Sequence, residues 1–287
     1  MSNIRLEQTA GKSRFNVKVC KRPDQHRAAA QAGRYILIMT DHILFKFRSV
    51  NKYLLQSIVQ SELHFAHPAC LNDPFDCKVD IRQSLEVAIS KTFSTVRERL
   101  EKFRGLNDFL VKLQSDIAAM GVCSFSCPLD GSNVLLENPL MWSHYADAHR
   151  GVCLTYRFSE QFFYDNADQI LGIAEVDYGA NPLADWFVEN IERFNDFTDF
   201  GISLLKKVLT VKSSEWQYEK EVRILRKVDG SYPIGKQHLV QVCFGLKTPE
   251  TDIDLIKNLL SQGQYEVQLF RLTRSDDADF GLNALEI

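Results

Sequence analysis

Two glutamates two residues apart, Glu219 and Glu221 in the run WQYEKEVRIL, are the most chemically pointed feature of this chain. Read as one strand over 215–226, alternation puts Trp216, Tyr218, Val222 and Ile224 on one face and Glu219, Glu221 and Arg223 on the other. Carboxylates that close together repel unless a cation or a ligand meets them. A solvated strand face with Arg223 as neighbour would show the same spacing. A second concentration lies in NPLMWSHYADAHRGVCLTYRF, residues 138–158. There Trp142, His144, Tyr145 and His149 crowd two turns of one short helix. That set suits a ligand-stacking surface, and it equally suits an aromatic helix packed on a sheet edge. Asp73, Asp76 and Asp80 add an acidic group that, with Glu221, would fit a nuclease.

Other chemistries find less support. There are seven cysteines, with no CxxC pair and no zinc spacing. Nothing selects one of them as the nucleophile partner of His144. His144 and His149, five apart, lie poorly on one helix face for a shared metal. Gly-rich phosphate loops are absent, and no metal is expected.

The elements that must place these groups are legible in outline. ILFKFR ends a strand at Arg48, with Ile43, Phe45 and Phe47 alternating against Leu44 and Lys46. Ser49 or Asn51 would cap the helix that follows. A short strand spans 63–66, and LNDPFD is a turn built on Asp73-Pro74. Helical periodicity runs over 84–120, broken at Gly105, and again over 183–209. Residues 122–127 form a buried strand, and a loop at 128–132 leads to the central helix. Asn138 caps that helix, Pro139 opens it, His149 and Arg150 close its last turn, and Gly151 stops it. Further strands are expected at 152–158, 170–178, 239–244 and 265–272, with a helix after Pro249. Strands in runs and helices in blocks indicate an α+β fold, mostly antiparallel, with helical insertions near 84–120 and 183–210.

At 287 residues, 45% hydrophobic and 25% charged, the chain is expected to be an ordinary globular protein with free thiols, in the cytoplasm and away from membranes. A net charge of -3 gives the whole protein no nucleic-acid character. Residues 1–34 differ. Arg5, Lys12, Arg14, Lys18, Lys21, Arg22, Arg27 and Arg34 face only Glu7 and Asp24. This is a loosely packed extension or a basic arm for nucleic acid or an acidic partner. The remainder, 35–287, reads as a single domain.

Four separated segments resemble one bacterial family: LFKFRS with its helix, LNDPFD, the pair SFS and MWSHYADAHRGVCL, and WQYEKEVRIL with the later FGLK. The family is DUF2971, a domain of unknown function related to abortive-infection proteins. A further resemblance, in order of elements, is to the ADP-ribosyltransferase superfamily and its split antiparallel sheet. That resemblance implies NAD as the substrate and an unknown protein or nucleic-acid acceptor, in phage defence or as a toxin. Carried over, Arg48 would grip the pyrophosphate and Ser126 the ribose. Tyr145 or Trp142 would stack on nicotinamide, with His144 beside them. Glu221 would stabilise the reacting sugar and Glu219 would position the acceptor. SFS stands where toxin-type members carry Ser-Thr-Ser, and the aromatic sits in a long helix. A non-catalytic nucleotide- or partner-binding module is the alternative from another class. The shared-site reading requires Arg48, Ser126 and Glu221 to meet in one cleft.

Overall fold

The computed structural model describes residues 41–127, 136–193, 197–275 and 281–287. The basic arm at 1–34 and the loop expected at 128–132 lie outside them. Along the chain the strands are β1 (His42–Arg48), β2 (Glu62–Phe65), β3 (Gly121–Ser126), β4 (Val152–Phe158), β5 (Ile170–Glu175), β6 (Asp177–Tyr178), β7 (Val211–Lys212), β8 (Glu221–Arg226), β9 (Gly230–Pro233), β10 (Leu239–Phe244), β11 (Gln268–Arg274) and β12 (Leu282–Glu286). The helices are α1 (Lys52–Gln60), α2 (Ile81–Ser90), α3 (Ser94–Arg104), α4 (Asn107–Ala119), α5 (Pro139–Tyr145), α6 (Glu160–Asp165), α7 (Pro182–Asn190), α8 (Phe197–Val208) and α9 (Glu250–Gln262).

The architecture is α+β around one eight-stranded sheet, in the order β12-β11-β10-β4-β1-β3-β8-β5. Its neighbours run antiparallel except β10 and β11, which are parallel, so the sheet, expected to be mostly antiparallel, is mixed. Alternation sends side chains of each central strand to two cores. Leu44, Leu154, Val222 and Ile224 join a core with Leu54 and Ile58 of α1 and Ile253, Ile256 and Leu260 of α9. On the opposite face Val122 and Leu225 pack with the helices α2, α3, α4, α7 and α8. Farther along that face Phe45, Phe47, Cys153 and Cys243 pack with Met141 and Trp142 of α5.

Several elements differ from the sequence reading. The first helical block also breaks at Lys91, just past the end of α2, and Phe93 stands 78% exposed before α3. The block begins earlier than 84, at Ile81, with Asp80 capping α2. The run 215–226 is not one strand. Ser214–Glu219 is a 3-10 turn, Lys220 adopts φ 45°, and β8 begins only at Glu221. The segment 170–178 divides between β5 and β6, and β6 pairs with β7 outside the main sheet. The helices α6 and the last strand β12 were not anticipated.

The central helix is also shorter than expected. Asn138 does cap it, accepting from the Leu140 N–H at 3.0 Å, but α5 ends at Tyr145. Asp147, Ala148 and His149 then take left-handed conformations, φ 47°, 49° and 68°. Each such non-glycine residue costs about 1–2 kcal/mol. Hydrogen bonds from both sides hold the turn. His149 N–H donates to the Trp142 carbonyl at 3.1 Å and Gly151 N–H to that of Ala146 at 2.8 Å. From the segment FGLKT, Gly245 N–H reaches the Gly151 carbonyl at 3.0 Å and Lys247 N–H that of His149 at 2.9 Å. The Thr248 hydroxyl donates to Gly151 as well, at 2.8 Å. The approach is close enough to demand glycine. A Cβ at Gly151 would lie 2.2 Å from the Arg48 carbonyl oxygen, and one at Gly245 would lie 2.3 Å from that of His149.

Gly151→Ala should therefore displace the end of β1 and lower stability by about 3 kcal/mol or more. Urea unfolding of the purified variant checks this; a midpoint equal to wild type would show that the turn can relax at no cost.

Candidate functional site

The site lies where the main sheet opens. The register between β1 and β3 consists of Phe45 opposite Ser126. Beyond that pair the strands diverge. Ala66, just past β2, takes the place beside β3, exchanging hydrogen bonds with Val122 at 2.8 and 2.9 Å. The Lys46 ammonium reaches across and donates to the Ser124 carbonyl at 2.7 Å. It therefore supplies a donor that a neighbouring backbone would otherwise provide. Burial lowers its pKa from the ordinary lysine value. The opening is a recess of about 490 Å³, and Arg48, Ser126, His144, Tyr145, Glu219 and Glu221 all line it.

On the β8 side the recess rests on a buried charge network. Arg223 is fully buried, its neighbour Glu221 almost so, and alternation puts both on one face. The Arg223 guanidinium donates to Glu221 (Nε to Oε1, 2.8 Å), to Asp76 (Nη2 to Oδ2, 2.6 Å) and to the Leu209 carbonyl at 2.7 Å. Lys212 of β7 lies between the two glutamates, 2.6 Å from Glu219 Oε2 and 3.0 Å from Glu221 Oε2. The Tyr145 hydroxyl donates to the other oxygen of Glu219. Glu219 thus meets Glu221 through a shared cation, although it arrives from the 3-10 turn and not from the strand.

The two carboxyls are tuned in opposite directions. Burial pushes the Glu221 carboxyl up, but Arg223 first and then Lys212 outweigh it and hold the group at about 2. Burial dominates at Glu219 and raises its pKa against the pull of Lys212 and Tyr145. Tyr145 is raised too, by burial and by its bond to Glu219, and so stays a donor. Glu221 is a fixed anion; Glu219 is the more basic partner.

Of the residues named from sequence, Trp142 does not face the recess. It is fully buried, its Nε1 donates to the Leu136 carbonyl at 2.8 Å, and its ring meets Phe47 edge-on at 5.1 Å. Packing explains that aromatic completely. His144 is at the rim, 3.3 Å from the Tyr218 hydroxyl. The acidic loop divides. Asp73 accepts from the Phe75 N–H at 2.9 Å as a turn residue, Asp80 caps α2, and Asp76 enters the charge network. Asn72 and Asp76 line the recess, so the loop is both a turn and a wall. The sequence reading missed Lys212 and Lys46. The signal for a cation was present, since two close carboxylates require one, but nothing local pointed to these lysines.

Residues 141–224 match the model of DUF2971, described as a protein of unknown function, which supports over that stretch the family resemblance read from the sequence. The matched stretch contains Tyr145, Lys212, Glu219, Glu221 and Arg223; Arg48, Asp76 and Ser126 lie before it. No curated protein and no solved structure matches the chain.

Two outcomes follow from the network. Asp76→Asn leaves a buried guanidinium short of charge and should cost about 3 kcal/mol, read as a lower melting temperature. Acid should act through Glu221. Its folded pKa is depressed to about 2 from 4.5, so its stabilisation is complete above the unfolded value and is lost as pH falls from there towards 2. That loss is about 3 kcal/mol, partly offset by Glu219, whose raised pKa favours the folded state on protonation. About 2 kcal/mol of it falls between about pH 6 and pH 3, where urea midpoints measure it, and a flat profile would contradict the network as described.

Proposed function

We propose that this recess binds NAD and transfers its ADP-ribose, with an N-glycosidic bond broken beside Glu221. The observation that carries the reading is one opening lined by Arg48, Ser126, Tyr145 and an anionic Glu221. Breaking the nicotinamide–ribose bond builds positive charge on the sugar, as in glycoside hydrolysis. A preorganised carboxylate in a dry wall lowers that barrier because the charge develops only in the transition state. Tyr145 offers a ring for nicotinamide, with its hydroxyl pinned by Glu219. Arg48 has the fork geometry that suits a pyrophosphate. Glu219, with its raised proton affinity, is placed to receive the proton of an acceptor nucleophile. The joint between β1 and β3 at Phe45 and Ser126 supports likening the fold to the split sheet of ADP-ribosyltransferases. The setting that the family resemblance suggests is phage defence or toxin action.

A binding module without turnover is favoured by one observation, that Glu219 and Glu221 already satisfy Lys212 and Arg223. A nuclease is supported less. Its cation would have to displace Arg223 and Lys212 from Asp76 and Glu221.

The test is nicotinamide release and NAD affinity on purified protein, with candidate protein and nucleic-acid acceptors. Glu221→Gln should lower turnover by about a hundredfold or more with little change in NAD affinity. From the sequence this change would barely affect folding. The buried pairing with Arg223 and Lys212 overturns that, and a lower melting temperature is expected, so rates are read well below it. Arg48→Ala should weaken NAD binding at an unchanged melting temperature. NAD bound but never cleaved would select the binding module; no binding and no release would end the NAD reading.

A further inference from the structure

A second recess of about 490 Å³ lies on the other side of Arg48. It sits over β1 and β4, where Lys46 is opposite Leu154 and Leu44 opposite Tyr156. The helix α1 forms one wall with Tyr53, Gln56 and Ser57, and β2 forms another with Glu62 and His64. Lys46, Arg48 and His64 line both recesses. These three are the residues the two linings share, with Arg48 at the end of β1 between them. Among the described residues no ion pair holds Arg48.

The geometry points to a two-headed ligand, a pyrophosphate-bridged dinucleotide, whose second nucleoside occupies this second recess. The inference rests on the donor reading above for the first head and adds the place and chemistry of the other. Each recess alone is of a size that takes one nucleoside-sized group, and the pair exceeds what a mononucleotide fills. Basic groups at the division favour negative charge there and not at either end, and Arg48 can clamp a phosphate through two donors. Tyr53, 61% exposed at the mouth, carries the Lys52 ammonium over its ring at 5.0 Å and offers the opposite face to a base. Tyr156 is the apolar floor beneath it. The Gln56 amide and the Ser57 hydroxyl supply polar contacts, and Glu62, whose Oε1 accepts from Ser231 at 2.9 Å and whose Oε2 accepts from the Gln60 amide at 2.9 Å, adds a carboxylate whose remaining lone pairs suit a ribose hydroxyl or an exocyclic amine. The Arg48 guanidinium at the centre and the Glu62 carboxylate at the far end also give the site a direction.

The experiment compares NAD, nicotinamide mononucleotide and diadenosine diphosphate by calorimetry on the full chain. Wild type should bind NAD at least about tenfold more tightly than the mononucleotide, a margin in keeping with stacking one base. Ser57→Trp, which fills the second recess, should remove that margin and leave the mononucleotide affinity unchanged. Tyr53→Ala should reduce it in the same sense; being largely exposed, this residue can be changed without risk to the core. Equal affinities for NAD and mononucleotide in wild type, or equal weakening of both in the variants, would overturn the inference and leave the NAD reading standing. If NAD fails to bind but diadenosine diphosphate binds in a manner sensitive to both variants, the two-headed site holds and the NAD reading falls. Failure of all three ligands overturns both.

Discussion

Burying Arg223 is the constraint on which this structure turns. A guanidinium removed from water must be surrounded by acceptors, or the fold loses several kcal/mol. Glu221 lies two residues before it on the same strand face, Asp76 comes from the loop ahead of α2, and the Leu209 carbonyl comes from the end of α8. One cation therefore ties the sheet to both helical blocks. The surplus negative charge that this gathers is met by Lys212, which in turn draws Glu219 into place. Tyr145 then bonds to Glu219 and fixes α5 against the same wall. The candidate site is the exposed side of an electrostatic knot whose buried side is structural.

The opening itself has a backbone origin. The strands β1 and β3 meet at Phe45 and Ser126 and then part, with Ala66 taking over the pairing of β3 at Val122. Lys46 satisfies the Ser124 carbonyl across the gap. This leaves the mouth lined by side chains from both faces of the sheet, a combination that an uninterrupted sheet would keep apart. The left-handed turn after α5 stabilises the geometry from the other end. Its strain is tolerated because FGLKT and the end of β1 enclose it. Two of the motifs that looked unrelated along the chain, SHYADAHRG and FGLK, are thus the two sides of one contact.

Much of this organisation could be read from pattern. The strand ending at Arg48, a cap at Ser49 or Asn51 (Asn51 in the structure), the strand with Ser126 and the common face of Glu221 and Arg223 all follow from alternation and capping, which are local. The breaks were less legible. Lys220 in a left-handed conformation divides what alternation alone reads as one strand. The run His149-Arg150-Gly151, which resembles an ordinary helix ending, is instead a turn whose strained form depends on Gly245, just past the distant strand β10. Trp142 shows the same limit. An aromatic on a helix is equally suited to a ligand and to a core, and only its neighbours, Phe47 and the Leu136 carbonyl, decide for the core.

The sequence by itself determined the α+β class, the main strands and the residue types that any chemistry here would use, because periodicity and capping act within a few residues. It also set a requirement, since Glu219 and Glu221 so close together need a cation. Only the tertiary structure decided which cation answers, bringing Lys212 from β7 between the carboxylates and Asp76 against Arg223. It alone set the opposite shifts of the two carboxyls, because desolvation and charge proximity depend on which groups the fold buries together. And it alone opened the sheet between β1 and β3, because strand pairing is settled between segments far apart in the chain.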